Sequence, residues 1–104
     1  MKTDAPPIAK TEVIHVLATG ERVSIVVEIG HPYQTQDGFW RTPVALHGLD
    51  GRLCDISGDD SLQSLALAVE MVRRRLASLI DAGDQLLDSD GSDFSLEAYL
   101  GKEE

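Results

Sequence analysis

Three histidines, one cysteine and a set of acidic residues gathered toward the C-terminus are the groups in this 104-residue chain that could do chemistry. His15, His31, His47 and Cys54 are the possible nitrogen and sulfur ligands. Their spacing follows none of the CxxC, HxxxH or HxH patterns through which a short segment closes on zinc. His47 and Cys54 flank the loop Gly48–Gly51, but strand alternation assigns them to opposite faces. No metal or cofactor site is expected, and structural histidines with a small buried thiol are the reading these residues support.

The acidic set invites a calcium test. Asp88, Asp90, Gly91 and Glu97 match positions three, five, six and twelve of a helix–loop–helix calcium loop. Leu86 stands at position one, where it cannot ligate, and Asp93 stands where the loop needs an apolar residue. A solvated acidic turn is therefore expected at Asp88, Asp90 and Asp93. Nucleophilic catalysis has equally little support. A reactive thiolate needs a positive neighbour to lower its pKa, and Arg52, the nearest cation to Cys54 in sequence, belongs to the other strand face. Gly48-Leu49-Asp50-Gly51 reads as a hairpin loop, and its aspartate opposes phosphate. With no convergent pocket groups, the chain is read as a non-enzyme.

Charge narrows the partners. The formal net charge is −9. From Asp81 to Glu104 eight acidic residues stand against Lys102 alone, a net of −7, so the first eighty residues are near neutral. Nucleic-acid binding wants a basic face, and none is offered: Arg73, Arg74 and Arg75 read as a solvated helix flank with favourable charges toward the C-terminal end of the dipole. No apolar run reaches the ~20 residues a membrane helix needs. The opening MKTDAPPIAK lacks the apolar core of a secretory signal. A single cysteine gives no sign of an oxidising compartment, and a cytoplasmic location is the default expectation.

The elements that must position these residues centre on one stretch. Ser61–Ala82 is predicted as a long amphipathic helix with Asp60 as N-cap, Gln63 reaching back to the cap, and Gly83 as the stop. Leu62, Leu65, Ala66, Val69, Val72, Leu76, Leu79 and Ile80 form its apolar stripe, with Arg73 at the stripe's edge. Leu67 and Met71 fall nearly opposite the centre of that stripe.

Ahead of the helix four strands are predicted: Lys10–Leu17, Arg22–Ile29, Phe39–His47 and Arg52–Ser57. In the second, Val23, Ile25, Val27 and Ile29 share the core face. In the third, Trp40, Thr42, Val44 and Leu46 turn inward while Phe39, Arg41, Ala45 and His47 turn outward. Pro43 marks an edge or a bulge there. In the fourth, Cys54 and Ile56 share a face. Leu86-Leu87 is read as a brief extended segment, and Ser95–Leu100 as a short helix capped by Ser95. The expected fold is α+β: a four-stranded antiparallel meander with the long helix on one face, β-β-β-β-α, plus a short C-terminal helix. Residues 1–7 are expected as a flexible arm, 8–101 as one domain and 102–104 as a disordered tail.

The run Gly58-x-Asp60-Ser61-x-Gln63-x-Leu65-x-Leu67-Ala68 opens the helix after a Trp-bearing strand and a Gly-Leu-Asp-Gly hairpin. With the tail Phe94-x-Leu96-Glu97-Ala98-Tyr99, it resembles a family of small bacterial domains of unknown function, from about Val23 to Gly101. The resemblance implies a bacterial source and a stand-alone small domain; it carries no activity, cofactor or site residue.

Two functional expectations follow. The first is a small non-enzymatic interaction protein, homodimeric, with Leu67, Met71 and Phe39 as the contact residues, because apolar side chains on a solvated face are the informative ones. The second is an acidic antidote- or immunity-like protein whose patch at Asp88, Asp90 and Asp93 attracts a basic partner at long range. A small-ligand pocket between sheet and helix is a third, lesser reading.

Overall fold

A computed structural model describes residues 6–101. The expected arm falls mostly, and the expected tail wholly, outside the described residues. Ten elements run in chain order: β1 (Ala9–Val16), β2 (Arg22–Ile29), β3 (Tyr33–Gln34), β4 (Trp40–Thr42), β5 (Val44–His47), β6 (Gly51–Arg52), β7 (Ile56–Gly58), α1 (Ser61–Asp81), β8 (Gln85–Asp88) and α2 (Leu96–Leu100). The class is α+β with antiparallel pairing, one long helix and a short C-terminal helix. The four-stranded meander is not what forms. The main sheet has five strands in the order β6-β5-β2-β1-β8, and a second sheet has three, β3-β4-β7.

Pro43 is the physical cause of the split. It offers no N–H to a ladder and fixes its own φ. On one side of it Thr42 pairs with Ile56 in the small sheet. On the other, its carbonyl accepts from Gly30 N–H at 2.9 Å and β5 joins β2. The single strand expected over Phe39–His47 therefore changes sheets at its centre. The strand expected over Arg52–Ser57 breaks in the same way. Arg52 ends the β5–β6 hairpin, Leu53–Asp55 cross between sheets, and β7 begins at Ile56. Cys54 lies in that crossing and is exposed, which corrects the expected buried thiol. Leu86-Leu87 is a full edge strand: β8 returns after the helix and pairs antiparallel with β1, Val13 facing Asp88 and Val16 facing Gln85.

The core lies between the five-stranded sheet and α1. Cross-strand partners share a face, so Val13 and Ile25, Val27 and Leu46, and Ile29 and Val44 point together toward the helix. They meet Ala68, Val72, Leu76 and Leu79. Removing each large apolar side chain from water contributes roughly 1.5–3 kcal/mol. Ala45, expected outward, is buried all the same, as is Leu87 on the sheet's other face.

The helix begins as expected. Asp60 accepts from Gln63 N–H at 2.7 Å, and Gln63 Oε1 accepts from Asp59 N–H at 2.6 Å. Its buried line differs from the expected stripe. Ser64 and Arg73 are buried, whereas Leu62 and Ile80 are exposed. Two sheets approach the helix at different points, so no single straight stripe serves both. At the N-terminal end the small sheet meets Ser64, whose hydroxyl lies 2.6 Å from Thr42 Oγ1 and donates to Ile56 C=O at 2.7 Å. Gly58 makes the approach possible: a Cβ there would stand 2.5 Å from Ser64 N.

Candidate functional site

The chemistry-bearing residues do not converge. His15 sits at the inner face near the end of β1, buried between Val23 and Leu86 across the strands, with Nε2 2.7 Å from Asp84 Oδ2. That pair ties the chain leaving the helix to the sheet, and its cross-strand neighbours are apolar rather than nucleophilic. His47 Nε2 lies 3.2 Å from Glu28 Oε1 on the sheet's outer face, and His31 is exposed in the loop after β2. Among the described residues no three His, Cys, Asp or Glu side chains gather where they could hold a metal ion.

The second polar cluster joins β3 to the crossing segment. The Tyr33 hydroxyl donates to Asp55 Oδ2, and Arg52 Nη2 donates to Asp55 Oδ1 at 2.9 Å. Burial pushes the Asp55 carboxyl up, but hydrogen bonds from Tyr33 and Arg52 and the charges of Arg52 and Arg41 outweigh it and hold the group below its usual value. The same bond to Asp55 raises the Tyr33 phenol. The arginine triplet is less solvated than expected. Arg73 is buried and donates to Glu70, as does Arg74. Arg75 spans to Asp50 in the β5–β6 loop, Nε to Oδ2 at 2.6 Å. The Glu70 pairs lie within α1, and the Arg75–Asp50 pair ties the helix to that loop, a role suited to Arg's rigid fork.

The acidic turn follows β8. Ser92 N–H and Oγ–H both donate to Asp90 Oδ1, at 3.0 and 2.7 Å, which holds the Asp90 carboxyl below its ordinary value. Asp88 N–H donates to Ser92 C=O at 2.7 Å, and Asp93 bridges back to Leu87. Asp88, Asp90 and Asp93 thus lie within one tight reversal at the sheet's edge. The three apolar residues singled out from the sequence sit on two elements. Leu67 and Met71, one helical turn apart on α1, are 44% and 38% exposed; Phe39, 49% exposed, precedes β4. Thr42 points at the helix, and Phe39, an odd number of residues away, falls on the face that turns from it.

Two features were not legible in the sequence. The first is the extent of apolar surface on α1: Leu62 and Ile80 join Leu67 and Met71 in the open, 74% and 42% exposed. The second is an apolar cleft of about 180 Å³ beside β1. Val13, Val27 and Ile29 form its floor, Val69, Val72 and Leu76 one wall, and Phe94, Tyr99 and Leu100 its cover. The rings of Phe94 and Tyr99 pack at 5.2 Å with a 54° tilt. Yet α2 has no buried residue, so the cover is thin.

The cleft opens where β8 stops. β1 runs from Ala9 to Val16, but β8 reaches only Val13, which leaves Ala9–Glu12 without a strand on that side among the described residues. Gly30 N–H points to Pro43. By the alternation of an antiparallel ladder, the odd residues of β2 and β1 therefore bond each other, and the even residues of β1 face the opposite edge. The N–H and C=O groups of Lys10 and Glu12 thus point to the open side.

The chain matches DUF6968, a domain of unknown function, over residues 11–97, and it belongs to that family. No curated protein and no solved structure matches it.

Proposed function

We propose that this is a non-enzymatic interaction domain that pairs with a second copy of itself through the outer side of α1. The observation that carries this reading is the pair Leu67 and Met71, two large apolar side chains one helical turn apart that the fold leaves open on the side of α1 away from its apolar stripe. Scattered surface hydrophobes are ordinary, but adjacent ones that form continuous apolar surface mark an interface. Charge permits self-association at this place. The helix's central charges are Glu70, Arg73, Arg74 and Arg75, and their pairing with Glu70 and Asp50 leaves little like-charge repulsion between two copies. An isologous contact would bring Leu67 and Met71 of each copy together at its centre.

Sedimentation velocity at micromolar concentration tests the reading. The chain is expected to run as a dimer, and Leu67→Asp with Met71→Asp is expected to run as a folded monomer with an unchanged far-UV circular dichroism spectrum, since both side chains are on the surface of the single copy. A clean monomer for the unaltered chain, or a dimer that survives both substitutions, removes it. The acidic reading, a patch that neutralises a basic partner, draws on the same carboxylates at Asp88, Asp90 and Asp93. They supply long-range attraction rather than a docking surface of their own.

A further inference from the structure

The geometry points to a second binding site: the open half of β1 accepts an extended peptide as an added strand, with one apolar side chain in the adjoining cleft and a basic residue against the acidic turn. Three independent features meet there. The main-chain groups of Lys10 and Glu12 face an edge that β8 does not reach. An exposed edge of this kind is a template for another strand, and added strands gain affinity from main-chain hydrogen bonds and specificity from alternate side-chain pockets. The cleft lies directly inside that edge and holds about 180 Å³. An apolar cavity of about 150 Å³ takes a benzene ring, so this one fits a phenylalanine or leucine side chain.

Register settles which side chain enters. Thr11 shares the inner face with Val13, while Lys10 and Glu12 point outward, where Lys10 pairs with Glu28 and Glu12 accepts from Ser24. A peptide residue opposite Thr11 therefore points into the cleft. A strand that continued the line of β8 would begin next to Asp88, at the reversal that carries Asp90 and Asp93. From Asp81 to Gly101 the chain has no Lys or Arg. A basic residue at the N-terminal end of the peptide meets that charge, and this complementarity favours a peptide over an uncharged small molecule.

The probe is the peptide Ac-Lys-Phe-Thr-Val-NH2, followed by amide NMR titration of the full chain. Saturable shifts are expected at Ala9–Glu12, Val69 and Val72, weakening as salt is raised. The same peptide N-methylated at its lysine and its threonine, the residues that face Glu12 and Lys10, is expected to bind about tenfold or more weakly, a loss of about 1.4 kcal/mol. Glu12→Pro removes one edge donor while leaving the β1–β2 ladder intact, and is expected to give a similar loss. The N-methylated peptide keeps the test decisive even where that variant fails to fold. Equal binding of both peptides overturns the proposal. So does saturation of the cleft by indole with no response to the peptide, which would make it a small-molecule pocket. The Leu67→Asp, Met71→Asp variant leaves peptide binding unchanged, so this site and the helix interface succeed or fail separately.

Discussion

The two ends of α1 are held by different physics. The C-terminal half lies on the five-stranded sheet through Val72, Leu76 and Leu79, a contact of apolar side chains with no direction to it. The N-terminal half lies on the three-stranded sheet through Ser64, Thr42 and the carbonyl of Ile56, three polar groups that must meet within hydrogen-bond reach. The first contact tolerates small sliding displacements better, because the burial term depends on the apolar area removed from water and not on direction. The second does not, because a buried hydroxyl without its partner costs the full desolvation of that group. The open surfaces follow the same division. Fixing the N-terminal end on Ser64 rather than Leu62 leaves Leu62 exposed, and the apolar half leaves a cleft where its sheet runs out.

Substitutions can break each end in turn. Leu76→Ala is expected to have the largest effect, about 3–4 kcal/mol by denaturant unfolding, because it removes a buried side chain and enlarges a core that already adjoins a cleft. A cost below about 1 kcal/mol would show that α2 settles inward to fill the space. Gly58→Ala tests the polar end. The new Cβ would meet Ser64 N at 2.5 Å and Ser64 Cα at 2.8 Å, both backbone atoms that cannot swing aside. About 2–3 kcal/mol is expected, together with loss of amide protection in the first turns of α1 but not the last. Uniform loss along the helix would mean that both ends form one cooperative contact.

The smallest expected effect is pH-dependent. Tyr33→Phe removes the hydroxyl that donates to Asp55 and should cost about 1 kcal/mol near neutral pH. The Asp55 carboxyl is held below its ordinary value, so its contribution is present above the unfolded value of about 3.9 and is lost as pH falls through the depressed one. The gap between the native chain and the variant should therefore close in acid. A gap of constant size down to the lowest pH at which the chain folds would show that the hydroxyl acts on something other than the charged carboxylate.

Much of the helix was legible in advance because its signals are local. Asp60, Gln63 and Gly83 act on backbone within a turn of themselves, and the structure uses all three, with a φ of +98° at Gly83. The strand Arg22–Ile29 was legible for the same reason, as alternation is a property of neighbours. Pro43 was recognised as a break, yet its consequence was not. A missing N–H says that a ladder is interrupted, while which sheet takes each half depends on Gly30 and Ile56, residues far along the chain. Ser64 gave no sign of burial because a serine in the first turn of a helix is equally at home in water. The candidate sites divide likewise. Leu67 and Met71 stood out by periodicity. The cleft and the open edge at Lys10 and Glu12 had no local signal, since they exist only because β8 is four residues long and lies beside an eight-residue strand.

The sequence by itself determined an α+β chain with one long capped helix, a near-neutral body, an acidic C-terminal stretch and an apolar pair off the helix's main stripe. Those follow from composition and from interactions spanning a few residues. Only the tertiary structure decided that there are two sheets, that the helix is gripped by polar groups at one end and apolar ones at the other, and that β1 is left half-paired beside a cleft. Strand pairing joins residues far outside a helical turn of each other, as His15 with Leu86 and Thr42 with Ile56. Where a sheet ends is set by the meeting of those distant segments, which no window of the sequence contains.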